Sequence, residues 1–502
     1  MPEQPGIDAY AAYLPAYVLD DNRLDPGVPA RAGGPARSVA GHDEDAVTMA
    51  VEALRHVAAG TPAGRHLLLA TTTAPYEAKT SAGVAHEALG LDPGVTALDL
   101  RGHRAGASAL DLALRGVATA ALADVRTTRP GAPDELAQGD AAAAFVGGRR
   151  AAVLLARVGH TAEVLDRWRL PGERHDRVWD ERFTAEILVA AGLHTAHRAL
   201  AEASLDTVDQ VVVSSSNPRA ATALRKALGG ATALRKASGG ATALRKASGG
   251  ATALRKASGG AGRDAAVERV TGFTGAAHAG LLLAAALDEA QPGQTILLLS
   301  ATEGADAFVL RVGDGIRDAR GGPSVRAQLA ARQRVGYGRY LRWRGLLDVQ
   351  GPARPAAPAP AAPPMHRRAG WKYRLEGSRC DACGRVTTPP GRVCASCGVV
   401  GAGTATGKVS LRERTARVVS VTRDHLTTMP EPEVAIVVAD VDGGGRLSAY
   451  ATDVAPGDVT VGMAMTPVFR RLWTTDSIHN YFWKLRPAPA DAAPGKDTAD
   501  GQ

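Results

Sequence analysis

Cysteine is scarce: the 502-residue chain has four, which excludes a disulfide-stapled scaffold. Aromatics are also few, at 4%, against abundant Ala, Gly, Arg and Asp. That bias is expected of a GC-rich, bacterial genome and carries no function. No apolar run reaches the ~18 residues of a membrane span; Leu281–Leu287 and Ile296–Leu299 are short enough for core. Met1–Tyr17 has no basic region followed by an apolar one, so no signal peptide is expected. These absences point to a cytoplasmic protein without a membrane partner. What is present is an ordinary 45% of hydrophobic residues, in a chain long enough for two or three domains.

The net charge of +8 suggests nucleic acid only until its source is located. Residues 221–260 are four tandem decapeptides, ATALRKALGG once and ATALRKASGG three times, each with one Arg and one Lys. Without the three extra copies, six positive charges vanish and about +2 remains. The basicity is a product of the repeat rather than a binding face, so no nucleic-acid partner is expected. Each copy reads as a helical piece stopped by Gly-Gly, and the whole as a surface insertion.

Residues 1–315 alternate strand-like and helix-like runs, which predicts a layered α/β domain. Strands are expected at Leu67–Ala70, Ala97–Leu100, Ala142–Val146, Ala152–Ala156, Gln210–Ser214, Thr295–Ser300 and Ala307–Val312. Helices are expected at Asp45–Ala58, Ser81–Leu89, Ser108–Leu122, Phe183–Ala203 and Ala277–Ala290. A helical extension (316–350) and an extended Pro/Ala linker (351–366) follow. The character then changes to a ribbon (367–404) and short alternating strands (405–487), before a tail (488–502) expected to be disordered.

Cys380-Asp-Ala-Cys383 and Cys394-Ala-Ser-Cys397 form two CxxC knuckles ten residues apart. This spacing lets four thiolates meet one tetrahedral zinc. Gly384 and Gly398 follow the second cysteine of each pair, where a knuckle needs backbone freedom. The expected cofactor is one structural zinc.

Trp371–Pro487, with SRCDACGRVTTPPGRVCASCG, the DGGGR turn and VFRRL…HNYFWKLRP, resembles the OB-fold plus zinc-ribbon domains that accompany thiolases and other acyl-CoA enzymes. The resemblance implies a thiolase-fold or other acyl-thioester enzyme as partner and a coenzyme A thioester as ligand. The first 315 residues resemble the hydroxymethylglutaryl-CoA synthase branch of the thiolase superfamily. The segments that carry this are GIDAYAAYLP, DEDAVTMAVEAL, APYEAKTSAG, ALDLRGHRAGASAL, GDAAAAFVGG and AALDEAQPGQTILLLS. It implies a five-layered αβαβα fold of two similar halves, a homodimer, and catalysis by a Cys nucleophile, a Glu base and a His.

Those residues do not carry over. In register with the family motif, Arg104 stands at the Cys position (His103 if a gap is allowed), Thr72 at the Glu, and Ser214 at the His. Phe273 replaces the Asn of the late loop. Two readings follow. The domain is a degenerate synthase that binds acyl thioesters and scaffolds a catalytic partner, in lipid or polyketide-type biosynthesis. Alternatively it is a Cys-independent, aldolase-type enzyme that makes or breaks a C–C bond beside a thioester, with His103, Tyr76, Asp99 or His278 as acid or base and Arg104 binding a carboxylate or phosphate.

Overall fold

The computed structural model describes residues 5–23, 35–57, 65–229, 262–355, 357–401 and 407–489. The three later repeat copies and residues 490–502 of the tail lie outside them. The chain divides into two units. The first comprises residues 1–40, 45–83 and 92–344; the second comprises 41–44, 84–91 and 345–502.

Nine strands form the first unit's main sheet. In chain order these are β1 (Gly6–Tyr13), β2 (His66–Thr71), β3 (Thr96–Arg101), β4 (Thr119–Asp124), β5 (Ala141–Gly147), β6 (Ala152–Thr161), β7 (Gln210–Ser215), β8 (Thr295–Ala301) and β9 (Gly304–Val312). Their spatial order is β7-β8-β9-β6-β1-β5-β4-β2-β3. One pattern occurs twice. β1 runs antiparallel to β5, β5 antiparallel to β4, and β4 parallel to β2. Likewise β6 runs antiparallel to β9, β9 antiparallel to β8, and β8 parallel to β7. Within the sheet the halves meet where β1 pairs with β6, at Gly6↔Val153 and Ile7↔Ala152.

Helices complete the layers. α1 (Ala46–Val57) packs on β1, β4 and β5; α3 (Ala105–Leu114) and α7 (His278–Glu289) pack together, and α7 touches strands of both halves. α4 (Glu181–Glu202) and α5 (Pro218–Leu228) cover β6–β9 on the far side. The resulting order, α1, sheet, α3/α7, sheet, α4/α5, is a thiolase-like αβαβα arrangement. Leu110, Leu122, Phe145, Leu281 and Phe308 are fully buried in its central core. The remaining helices used below are α2 (Ala82–Leu89) and α6 (Arg263–Thr271).

Two expectations need correction. The helix expected over Ser108–Leu122 ends at Leu114, and Thr119–Asp124 is strand β4. Gly116, at φ +71°, stops the helix, and an all-buried Ala-rich strand has no period to distinguish it from a helix. The Pro/Ala linker ends in a short helix, Ala362–Arg367, whose prolines lie at positions that need no N–H donor. The stretch 316–344 packs inside the first unit, where the fully buried Tyr340 hydroxyl accepts from Arg37 at 3.0 Å.

The first decapeptide copy belongs to α5. Asn217 caps its start, accepting from the N–H groups of Arg219 and Ala220, and Leu224 and Leu228 are buried. The position of Leu228 is Ser238, Ser248 and Ser258 in the later copies, so they lack its second apolar anchor, worth ~1.5–3 kcal/mol when buried.

The second unit holds a five-stranded antiparallel sheet. Its strands are β10 (Ala416–Asp424), β11 (Val434–Val441), β12 (Arg446–Tyr450), β13 (Ala464–Thr475) and β14 (Ile478–Pro487), in the order β12-β11-β10-β13-β14. A bridge between Ala451 and Leu485 brings its outer edges together. Phe469, Tyr481 and Trp483, the last with its indole N–H on the Tyr373 carbonyl, fill its core. A second feature is ionic. Arg470 is fully buried, with Asp453 at 2.9 Å and Glu44 at 3.2 Å, and Lys484 lies 2.8 Å from Asp43. Burial pushes the Asp43 carboxyl up, but Lys484, His42 and Arg470 outweigh it and hold the group far below the usual range. Among the described residues no helix is long and apolar enough to cross a membrane.

Candidate functional sites

The ribbon's knuckles are built from the backbone. The N–H groups of Gly384 and Gly398 donate to the carbonyls of Cys380 and Cys394, with both glycines at φ near +70°. The four Sγ atoms lie within 4.8 Å of one another, with Cys380–Cys397 and Cys383–Cys394 both at 3.6 Å. Tetrahedral zinc with Zn–S near 2.3 Å places sulfurs about 3.8 Å apart, so the set fits the ion. N–H groups of Cys397 and Ser396 hold the Cys394 thiol low, at about 6, which favours the thiolate a metal needs. Cys380, Cys383, Cys394 and Cys397 thus form a structural zinc site, as their spacing predicts.

In the first unit, chemistry gathers at the C-terminal ends of β2 and β4. Asp124 is fully buried, and its carboxylate accepts from the N–H groups of Thr72, Thr73 and Ala276 and from the hydroxyls of Thr71, Thr72 and Thr73. The Thr72 hydroxyl also accepts from Arg126 at 2.8 Å. Arg126 pairs with Asp176, which also binds Arg169. Burial raises the Asp176 carboxyl, but Arg126, His103, Arg169 and Arg167 overcome it and leave it lowered.

His103 lies against this group, its Nε2 4.0 Å from Asp176, and its buried Nδ1 has no hydrogen-bond partner. Burial, aided by Arg126, pushes its pKa down to about 4, so the imidazole is neutral at pH 7. Arg104, the next residue, faces the other half. Its guanidinium makes a bidentate pair with Asp306 at 2.8 and 2.9 Å and donates to the Thr161 hydroxyl at 2.6 Å. It also donates to the carbonyl of Glu303, a non-glycine residue held at φ +51°. Burial and the nearby Glu163 and Asp166 push the Glu303 carboxyl up.

The other sequence candidates scatter. Asp99 accepts from the N–H groups of Ser81 and Ala82 and so caps α2, not the turn that follows it. Tyr76 is half-buried, its carbonyl accepting from Arg101. Ser214 is buried in β7, opposite Ser300. Phe273 packs against His278, the ring centroids 4.9 Å apart and the planes tilted by 59°. His278 is fully buried; its Nδ1 accepts from the Thr274 N–H, and its Nε2 is 3.8 Å from Glu268. Burial raises Glu268, yet His278 and Arg225 bring it down to about 2. Sequence reading missed Asp124, Arg126, Asp176, Glu303 and Asp306. The three threonines of ATTTAPY were the only local hint of a buried acceptor.

Known proteins place these two regions. Residues 369–399 match the ChsH2, rubredoxin-like zinc ribbon domain. The hydroxymethylglutaryl-CoA synthase of Pyrococcus horikoshii is 27% identical over 367 residues, covering 68% of this chain and 95% of the relative. Over about two thirds of its length the chain is thus similar to hydroxymethylglutaryl-CoA synthases. The solved synthase MvaS, in complex with 3-hydroxy-3-methylglutaryl coenzyme A, superposes with TM-score 0.55 at 20% identity, covering 70% of this chain and 96% of that one. The synthase of the curacin biosynthetic pathway, in complex with an acetyl donor acyl carrier protein, gives TM-score 0.53 at 16% identity, covering 68% and 88%. These structures share the thiolase-like fold.

Proposed function

We propose that this protein is a degenerate, cytoplasmic synthase relative that binds coenzyme A- or carrier-bound acyl groups. It scaffolds a catalytic thiolase-fold partner through its ribbon and a C-terminal OB-fold. The solved relatives hold 3-hydroxy-3-methylglutaryl coenzyme A and an acyl carrier protein, which supports the ligand class; a homodimer through the synthase-like unit follows from the same resemblance. The observation that carries the reading is the location of sulfur. All four cysteines are committed to the ribbon, and Arg104, aligned with the nucleophile, is bound to Asp306. No other common side chain accepts an acyl group from a thioester as readily as a thiolate at neutral pH. Radiolabelled acetyl-CoA should bind reversibly and leave no label on the denatured protein. A Cys-bearing thiolase-fold chain should co-purify with it. Covalent label, or no binding of any acyl-CoA, refutes the reading.

His103 favours a second reading. A neutral, buried imidazole can accept the proton of a β-hydroxyl while the Cα–Cβ bond breaks; a carbonyl compound leaves, and the thioester enolate is reprotonated at Cα. That reading predicts cleavage of a β-hydroxyacyl-CoA by the isolated chain, lost in His103→Asn.

A further inference from the structure

Beside the strand-end site lies a cavity of about 100 Å³ lined by Arg126, Arg129, Arg167, His175, Asp134 and Asp176, among others. A water needs only ~10–15 Å³ of such space, so the cavity has room for a group of several atoms. Its lining carries three guanidinium groups against two carboxylates, an excess of one positive charge. The commitments of these groups differ. Arg126 is spent on Thr72, Asp176 and Gln138. Arg167 reaches Asp134 only at 3.4 Å, and its buried Nε has no partner. A buried guanidinium N–H without an acceptor is costly, and a planar guanidinium suits a two-oxygen acceptor.

We propose that this cavity is a binding pocket for a small oxyanion of carboxylate or phosphate size, with Arg167 as its principal ligand. Arg126 and Asp176 form the wall it shares with Thr72 and His103, so the pocket lies one side chain from the acyl-thioester site proposed above. An anion there belongs either to the far end of an acyl chain or to the coenzyme's phosphates.

Titration calorimetry on the full-length protein, at ionic strength fixed with chloride, tests the pocket alone. Inorganic phosphate or malonate should bind saturably, at least tenfold more weakly in Arg167→Gln. Arg129→Gln, at an exposed position, serves if the first variant fails to fold, and should also weaken binding. No saturable binding above chloride, or binding unchanged in both variants, overturns the proposal. A second pair of arms separates the sources. If the acyl end supplies the anion, glutaryl-CoA binds at least tenfold tighter than valeryl-CoA, and Arg167→Gln abolishes the difference. If the phosphates supply it, both esters and coenzyme A weaken together. Free anions that bind where no acyl-CoA does would leave the pocket standing and refute only the acyl-thioester reading.

Discussion

The ribbon and the strand-end site both concentrate reactive side chains, but they balance them in opposite ways. Four sulfur atoms converge within 4.8 Å of one another, an arrangement suited to one shared metal ion. At the ends of β2 and β4, several of the buried charges are answered by other parts of the same unit. Asp124 has six donors, Asp176 has two arginines, and Arg104 has Asp306. One region is built around an outside ion, while the other has closed most of its bonds internally.

Zinc removal should give the largest break between the two. Metal analysis is expected to find one zinc per chain, and Cys394→Ser to lose it together with the fold of the ribbon, since structural zinc contributes on the order of 10 kcal/mol. Far-ultraviolet circular dichroism should show the helices of the first unit intact. Zinc retained by that variant would break the comparison.

Next in size is the second unit's ionic cluster. Asp43→Ala leaves Lys484 buried without its carboxylate and should cost ~3–5 kcal/mol in urea unfolding. A loss below 1 kcal/mol would mean that water reaches the cluster. In the first unit, Arg104→Ala strips Asp306 of its bidentate partner; because this pair is partly exposed, ~1–3 kcal/mol is expected. A variant as stable as the parent would mean that the site is less closed than the geometry indicates.

A further test is a pH dependence. His103 has its pKa lowered from 6.5 to about 4 in the folded protein, so the unfolded chain binds more protons between those values. Stability should therefore be undiminished above pH 6.5 and fall as pH drops toward 4. His103→Asn should flatten that segment of the profile. An identical slope in the variant would place the titration elsewhere.

Local patterns in the sequence were informative where one segment carries its own determinants. The CxxC spacing and its glycines specify a metal site within nineteen residues. Alternating runs locate strands such as Gln210–Ser215 because their ends are marked by turn residues. The VATAALAD segment misled, since its first seven residues, all small or apolar, suit a buried strand and a helix equally. Asp124, Arg126 and Asp176 could not be singled out, because each has its partner in a different segment, up to 152 residues away for Asp124 and Ala276.

Where the chain's sulfur nucleophiles lie was decided by composition and spacing alone. Four thiols exist and all lie in the two knuckles, a count that no folding can alter. What those positions became was decided only by the tertiary structure. Whether Arg104 meets a ligand or Asp306, and whether His103 is charged or neutral, depends on which groups folding brings within a few ångströms and how much water it excludes. Charge and hydrogen bonding act through space at that range, and the order of residues along the chain does not record it.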